Sequence, residues 1–151
     1  MNQAIDNFVQ ALALSGRTIE PDQIEIRDLG CPHEPTALPR GKMASYIIMH
    51  GHVALKIGKA GPNSSARFQS QHYSPGSSNS NLAKSLMGDE TSPCYDMLAT
   101  NVGAWMKANL RRYDILLDAR LGIPVLNFLE TFLQCKFSPK YEGFKSQRNG
   151  A

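Results

Sequence analysis

Residues 44–67 read ASYIIMHGHVALKIGKAGPNSSAR, and this stretch decides the fold. Residues 43–49 and 53–57 are two runs of β-prone side chains, separated by His50-Gly51-His52. Branched aliphatic and aromatic side chains suit a pleated, half-buried surface, and a glycine in the break supplies the backbone freedom of a tight turn. The spacing predicts a hairpin. Gly58 ends its second strand, residues 59–64 form a loop with Gly61 and Pro62, and Ser64 or Ser65 caps a helix reaching about Tyr73.

Working outward, Ile5, Phe8, Val9, Leu12 and Ala13 recur at helical spacing over residues 3–15, and Gly16 stops the run. Residues 24–29 alternate weakly, as a strand would. Residues 31–41 hold Pro32, Pro35 and Pro39 and read as an irregular connector. Beyond the hairpin, residues 74–80 (SPGSSNS) form a flexible loop, and residues 81–87 and 102–110 read as helices. Residues 111–119 (RRYDILLDA) read as a strand with a buried Ile115-Leu116-Leu117 centre. Pro124 suits the first turn of a helix running to about Lys136, which residues 137–143 (FSPKYEG) end. The expectation is an α+β fold with a small central three-stranded mixed β-sheet flanked by helices. An N-terminal extension (1–41) packs on the core (42–145), and residues 146–151 form a polar tail.

The 151-residue length favours one domain. No run approaches the roughly 18 apolar residues of a membrane span, and the N-terminus lacks the basic region and cleavage site of a secretory signal. Cys31, Cys94 and Cys135 are odd in number and widely spaced, which suits a reducing, cytoplasmic setting better than a disulfide framework. Charge is unevenly spread. Residues 1–40 carry three basic against six acidic side chains, leaving thirteen basic against seven acidic in the remainder. A basic body behind an acidic segment favours an anionic partner such as nucleic acid.

The stretch resembles the GIY-YIG nuclease superfamily. Ala44-Ser45-Tyr46 stands where that family has its first tripeptide and Lys56-Ile57-Gly58 where it has the second, followed by Lys59-Ala60. Arg67 follows Gly58 by nine residues on the next helix, where the family carries an arginine. Glu130, inside LNFLETFL, matches the family's metal-binding glutamate, and Pro139-Lys140-Tyr141-Glu142 resembles its closing Pro-x-x-Asn turn. The likeness spans roughly residues 43–144. Three positions depart from the pattern: only the tyrosine of the first tripeptide remains, Lys56 replaces the second tyrosine, and Glu142 stands for the asparagine. Gln71 occupies a position where the family often has His or Tyr, with His72 and Tyr73 just beyond.

The resemblance implies a metal-dependent DNA endonuclease. Its alternative is a nucleic-acid-binding protein of the same fold that has lost catalysis. Tyr46, with Lys56 as the alternative, would take the proton from the attacking water. Arg67 would grip phosphate oxygens with its planar fork, and His72 is a candidate acid or phosphate contact. Glu130 would hold one hard cation, Mg²⁺ or Mn²⁺. It lies beside Leu126 and Leu133 on an apolar stripe, where a carboxylate asks for a metal or an arginine. Lys59, Tyr73, Lys84, Lys140 and Glu142 are candidate substrate contacts. Lys107, Arg111, Arg112, Lys136 and Lys145 could extend the phosphate track, and Tyr141 and Trp105 could stack on bases. The expected partner is DNA, single-stranded, structured or duplex, bound by a monomer or homodimer away from any membrane. Cys31-Pro32-His33 has no second ligand pair at a zinc-like distance.

Overall fold

The computed structural model describes residues 1–77 and 81–141. Helix α1 (Asn2–Ala13) is followed by strand β1 (Ile24–Gly30), the hairpin β2 (Lys42–His50) and β3 (Val53–Ala60), and short helices α2 (Ser65–Gln69) and α3 (Leu82–Met87). Helix α4 (Ala99–Asn109), strand β4 (Arg111–Asp118) and helix α5 (Ile123–Phe137) complete the order. The strands form one sheet in the order β1-β4-β2-β3, and each neighbouring pair is antiparallel. The α+β class stands, but the three-stranded mixed sheet is corrected to four antiparallel strands. The fourth comes from the N-terminal segment, where Ile24 and Ile26 pair with Leu117 and Ile115. Its weak alternation is that of an edge strand, which covers the core with one face only.

The hairpin forms as its sequence predicts. His50 pairs with Val53, leaving Gly51-His52 as a two-residue turn, and Gly51 adopts the positive φ of 56° that such turns require. A register slip after Ile48 inserts Leu55 as an extra residue, so Lys56 falls opposite Ile48. Bulges of this kind re-aim side chains. The helix expected to reach Tyr73 is shorter: α2 ends at Gln69, and residues 71–73 make a separate 3₁₀ turn.

The period of two sorts the sheet into two unlike faces. On one face Met43, Ile47, Ile57, Ile115 and Leu117 pack against Val125, Leu126, Leu129 and Leu133 of α5 and Ile5, Phe8 and Leu12 of α1. Phe8 sets its ring 5.6 Å from Phe128 and 5.8 Å from Phe132 in tilted and edge-on contacts. Burying one such side chain contributes about 1.5–3 kcal/mol, so this face carries much of the stability. The other face bears Tyr46, with Phe68, Ala44, Ala60 and Leu116 in one cluster and Ile48, Leu55, Tyr73, α3 and α4 side chains in a second. That face also buries Arg112 and Asp114.

Candidate active site

Register places the site. Tyr46 lies between Gly58 on β3 and Asp114 on β4, while Ile48, one step along the same face, lies between Lys56 and Arg112. Gly58 is required because the Tyr46 ring lies across it: a Cβ built there would come within 2.6 Å of Tyr46 Cζ. The ring thereby crosses the edge strand, and its hydroxyl meets His72 Nε2 from the 3₁₀ turn in a short hydrogen bond.

Tyr46 is fully buried. Burial pushes its phenol up to about 12, opposed by Arg67 and Arg112 and reinforced by the negative charge of Glu130. His72 is shifted the opposite way. Burial first, then the positive charges of Lys56, Arg67 and Arg112, holds its imidazole down at about 3, so it is neutral at pH 7. In that pair the protonated phenol can donate to Nε2. His72 Nδ1 has no hydrogen-bond partner among the described residues. A buried orphan nitrogen of this kind asks for an explanation, and a functional role is one of the common ones.

Beneath the tyrosine lies a scaffold that the sequence reading did not identify. Arg112 donates through Nε to Asp114 Oδ1 at 2.7 Å, through Nη2 to the Phe68 carbonyl at 2.7 Å, and through Nη1 to Tyr73 Oη at 3.2 Å. Its guanidinium also lies 5.1 Å from the Tyr46 ring and 4.7 Å from the Phe68 ring. Tyr73 in turn lies 2.7 Å from His33 Nε2, and His33 Nδ1 lies 2.6 Å from the Leu110 carbonyl. The carbonyl can only accept, so His33 carries its proton on Nδ1 and the Tyr73 hydroxyl donates to Nε2. This chain ties the proline-rich connector, the 3₁₀ turn and β4 into one unit under the site. The available signal was Arg112 and Asp114 two apart on a strand, which puts both on one face.

The expected residues are distributed unevenly. Tyr46 and His72 touch, and Lys56, Arg67 and Glu130 lie near enough to act on one or both by charge. Lys56 is buried and donates to the Tyr141 carbonyl at 3.4 Å. Arg67 is exposed on α2. Lys59 points to the α5 side of the sheet, in the row of Ser45 and Ile115, and its ammonium reaches Glu130 Oε2 at 2.5 Å. Tyr73 is buried with its hydroxyl bonded, so its ring is part of the scaffold rather than an open stacking platform. Lys84 is exposed on α3. Lys140 is paired with Asp89 at 2.7 Å and bonded to Thr91 at 2.9 Å. Its backbone N–H and that of Tyr141 dock the closing turn onto the carbonyls of Ala54 and Leu55, each at 2.9 Å. Arg111 pairs with Asp28, Lys107 with Glu34, and Trp105 packs against the α3–α4 cluster. Glu142, Lys145 and the 146–151 tail lie outside the described residues.

Among the described residues, no three His, Cys, Asp or Glu side chains are grouped to hold a metal. A single-carboxylate site is a different demand, and Glu130 is the residue that could serve one. Its side chain is 14% exposed, and Lys59 supplies the hydrogen bond it accepts among the described residues. Water and phosphate oxygens could complete a hard cation's shell there. No described helix is long and apolar enough to cross a membrane. No protein-family model matches the chain, and neither a curated protein nor a solved structure does.

Proposed function

We propose that this chain is a metal-dependent endonuclease of the GIY-YIG type that hydrolyses phosphodiester bonds in DNA. The observation that supports it best is the meeting of Tyr46 and His72 over Gly58, with Lys56, Arg67 and Glu130 acting on that pair. Tyr46 on β2 touches His72 of the 3₁₀ turn, while Lys56 on β3, Arg67 on α2 and Glu130 on α5 act on that pair by charge, Glu130 from the other side of the sheet. Clusters with strongly shifted titratable groups are candidates for catalysis.

Each residue then has a chemical task. Exposed Arg67 receives the phosphate, its fork gripping two oxygens as negative charge builds. Tyr46, ionised to the phenolate in a fraction that rises with pH, takes the proton of the attacking water, and neutral His72 holds the ring in place through the existing hydrogen bond. Arg67 and Arg112 favour the phenolate over the phenol. Glu130 would hold the divalent cation, which when bound would supply Lewis-acid stabilisation of the leaving oxygen. A base whose pKa stands near 12 is scarcely ionised at neutrality, so cleavage should accelerate about tenfold per pH unit between pH 7 and 9. A flat profile over that range would remove Tyr46 from the role of base.

One observation favours a second reading. Tyr46 has no exposed surface, and Lys59 already neutralises Glu130. Both fit a catalytically degenerate protein that binds nucleic acid by charge. Wild type and Glu130→Ala incubated with single-stranded, branched and duplex DNA in Mg²⁺ or Mn²⁺ separate the two. Cleavage lost in the variant supports the enzyme; salt-sensitive binding without cleavage under either metal supports the binder.

A further inference from the structure

The ion pair between Lys59 and Glu130 has properties that neither an ordinary core contact nor an ordinary surface pair has. Lys59 reaches Glu130 from the face of the sheet opposite Tyr46, in the register row of Ile115 and Ser45. The carboxylate it meets is on α5 among the buried Leu126, Leu129 and Leu133, yet acts on the Tyr46 phenol by charge. At 38% and 14% exposure the two side chains are neither sealed nor fully solvated. Ser45, the register partner of Lys59, is occupied elsewhere, because its hydroxyl donates to the Gly58 carbonyl at 2.9 Å. Among the described residues, the ammonium's hydrogen-bond partner is the one carboxylate that a hard cation would need.

We propose that Lys59 is a built-in counter-ion which competes with the divalent cation for Glu130, so that cation loading requires displacement of the lysine from the carboxylate. The inference rests on the reading of Glu130 as the cation ligand, and it assigns Lys59 a positioning and regulatory part rather than direct phosphate contact. Two consequences follow from electrostatics. A carboxylate held at 2.5 Å by an ammonium offers a cation one shared ligand, so the free protein binds Mg²⁺ or Mn²⁺ weakly. Phosphate oxygens arriving with the substrate add ligands and negative charge, so loading is coupled to substrate binding. Lysine suits this part better than arginine, being a compact point charge on a flexible stem that can leave without breaking a bidentate fork.

The test is Mn²⁺ binding to the full chain without nucleic acid, read from the electron paramagnetic resonance signal of free Mn²⁺. Wild type, Lys59→Met, Lys59→Gln, Lys59→Arg and Lys59→Met/Glu130→Gln are titrated under the same salt. Removing one unit of positive charge a few ångströms from the cation should tighten binding roughly tenfold in both neutral variants. Lys59→Arg should remain within about threefold of wild type, and the double variant should lose the gain. Lys59→Gln repeats the experiment with a hydrogen-bonding side chain, and thermal melting of each variant confirms that it is folded. Neutral variants that bind Mn²⁺ no more tightly than wild type, or a gain that survives in the double variant, would overturn the proposal. Because the readout needs no cleavage, a failure here is distinguishable from failure of the nuclease reading: an inactive protein could still show the gain, and an active one could lack it.

Discussion

Arg112 with Asp114 and Lys59 with Glu130 are both cation–carboxylate pairs, one on each face of the sheet, at 2.7 and 2.5 Å, but their surroundings set them apart. The first is sealed, at 0% and 1% exposure, and Arg112 spends further donors on Phe68 and Tyr73. The second is open to solvent on one side, and its carboxylate is shared with one ammonium. A buried pair is costly to disrupt because removing either partner strands a charge in a low dielectric. A half-exposed pair can exchange partners at little cost. The difference teaches that charge near a site is not evidence of chemistry. Burial and the number of bonds separate the frame from the groups available to react.

Breaking the sealed pair should have the largest effect. Arg112→Met leaves Asp114 buried and unpaired and should cost about 3–5 kcal/mol, read from the urea midpoint. Arg112→Met/Asp114→Leu should recover most of that loss. Recovery would mark the pair as frame; equal loss in both variants would show that the bonds to Phe68 and Tyr73 matter more.

Acid sensitivity comes next. The folded His72 pKa of about 3 lies below its unfolded value of about 6.5, so the folded state binds fewer protons between them. Stability should therefore fall with falling pH in that window, by up to about 1.4 kcal/mol per unit from this group. His33, lowered mainly by burial, adds a contribution of the same sign. Denaturant melts of His72→Gln beside wild type isolate the His72 share, and parallel slopes would contradict it.

Gly58→Ala should destabilise by roughly 1–3 kcal/mol, since the added methyl meets the Tyr46 ring and the phenol must shift. The same change should abolish the short contact with His72, which proton NMR of the imidazole can follow. The smallest effects belong to the open pair. Lys59→Met should alter stability by no more than about 1 kcal/mol by thermal melting, while exposed Arg67→Ala should leave the melt nearly unchanged. On cleavage, Arg67→Ala should cost about 10²–10³ in rate, as expected for loss of a donor to developing charge.

Much of the fold is legible in local pattern. The hairpin follows from two apolar runs and a glycine, α5 from Pro124 and a leucine stripe, and α3 from Asn81, whose side chain accepts the Lys84 N–H at 2.8 Å. Strand neighbours are another matter, because the pairing of β1 with β4 joins residues more than eighty apart and no local signal specifies it. The same reason divides the site. Tyr46 and Lys56 are close in sequence and fall on one face by the hairpin register, whereas the partner of Glu130 depends on how α5 crosses the sheet. Tyr73 and Arg112 look like surface groups by residue type, and only their long-range bonds reveal them as interior frame. The bulge at Leu55, which decides where Lys56 lands, likewise has no marker in residue type.

The most direct measurement is the cleavage rate of wild type beside Glu130→Gln on a panel of single-stranded, branched and duplex DNA with Mg²⁺. Metal-dependent cleavage of at least one substrate that falls by 10² or more in the variant, with an unchanged melting temperature, is the expected result. Absence of cleavage across the panel, or equal rates for the two proteins, would contradict a nuclease centred on Tyr46, His72, Arg67 and Glu130.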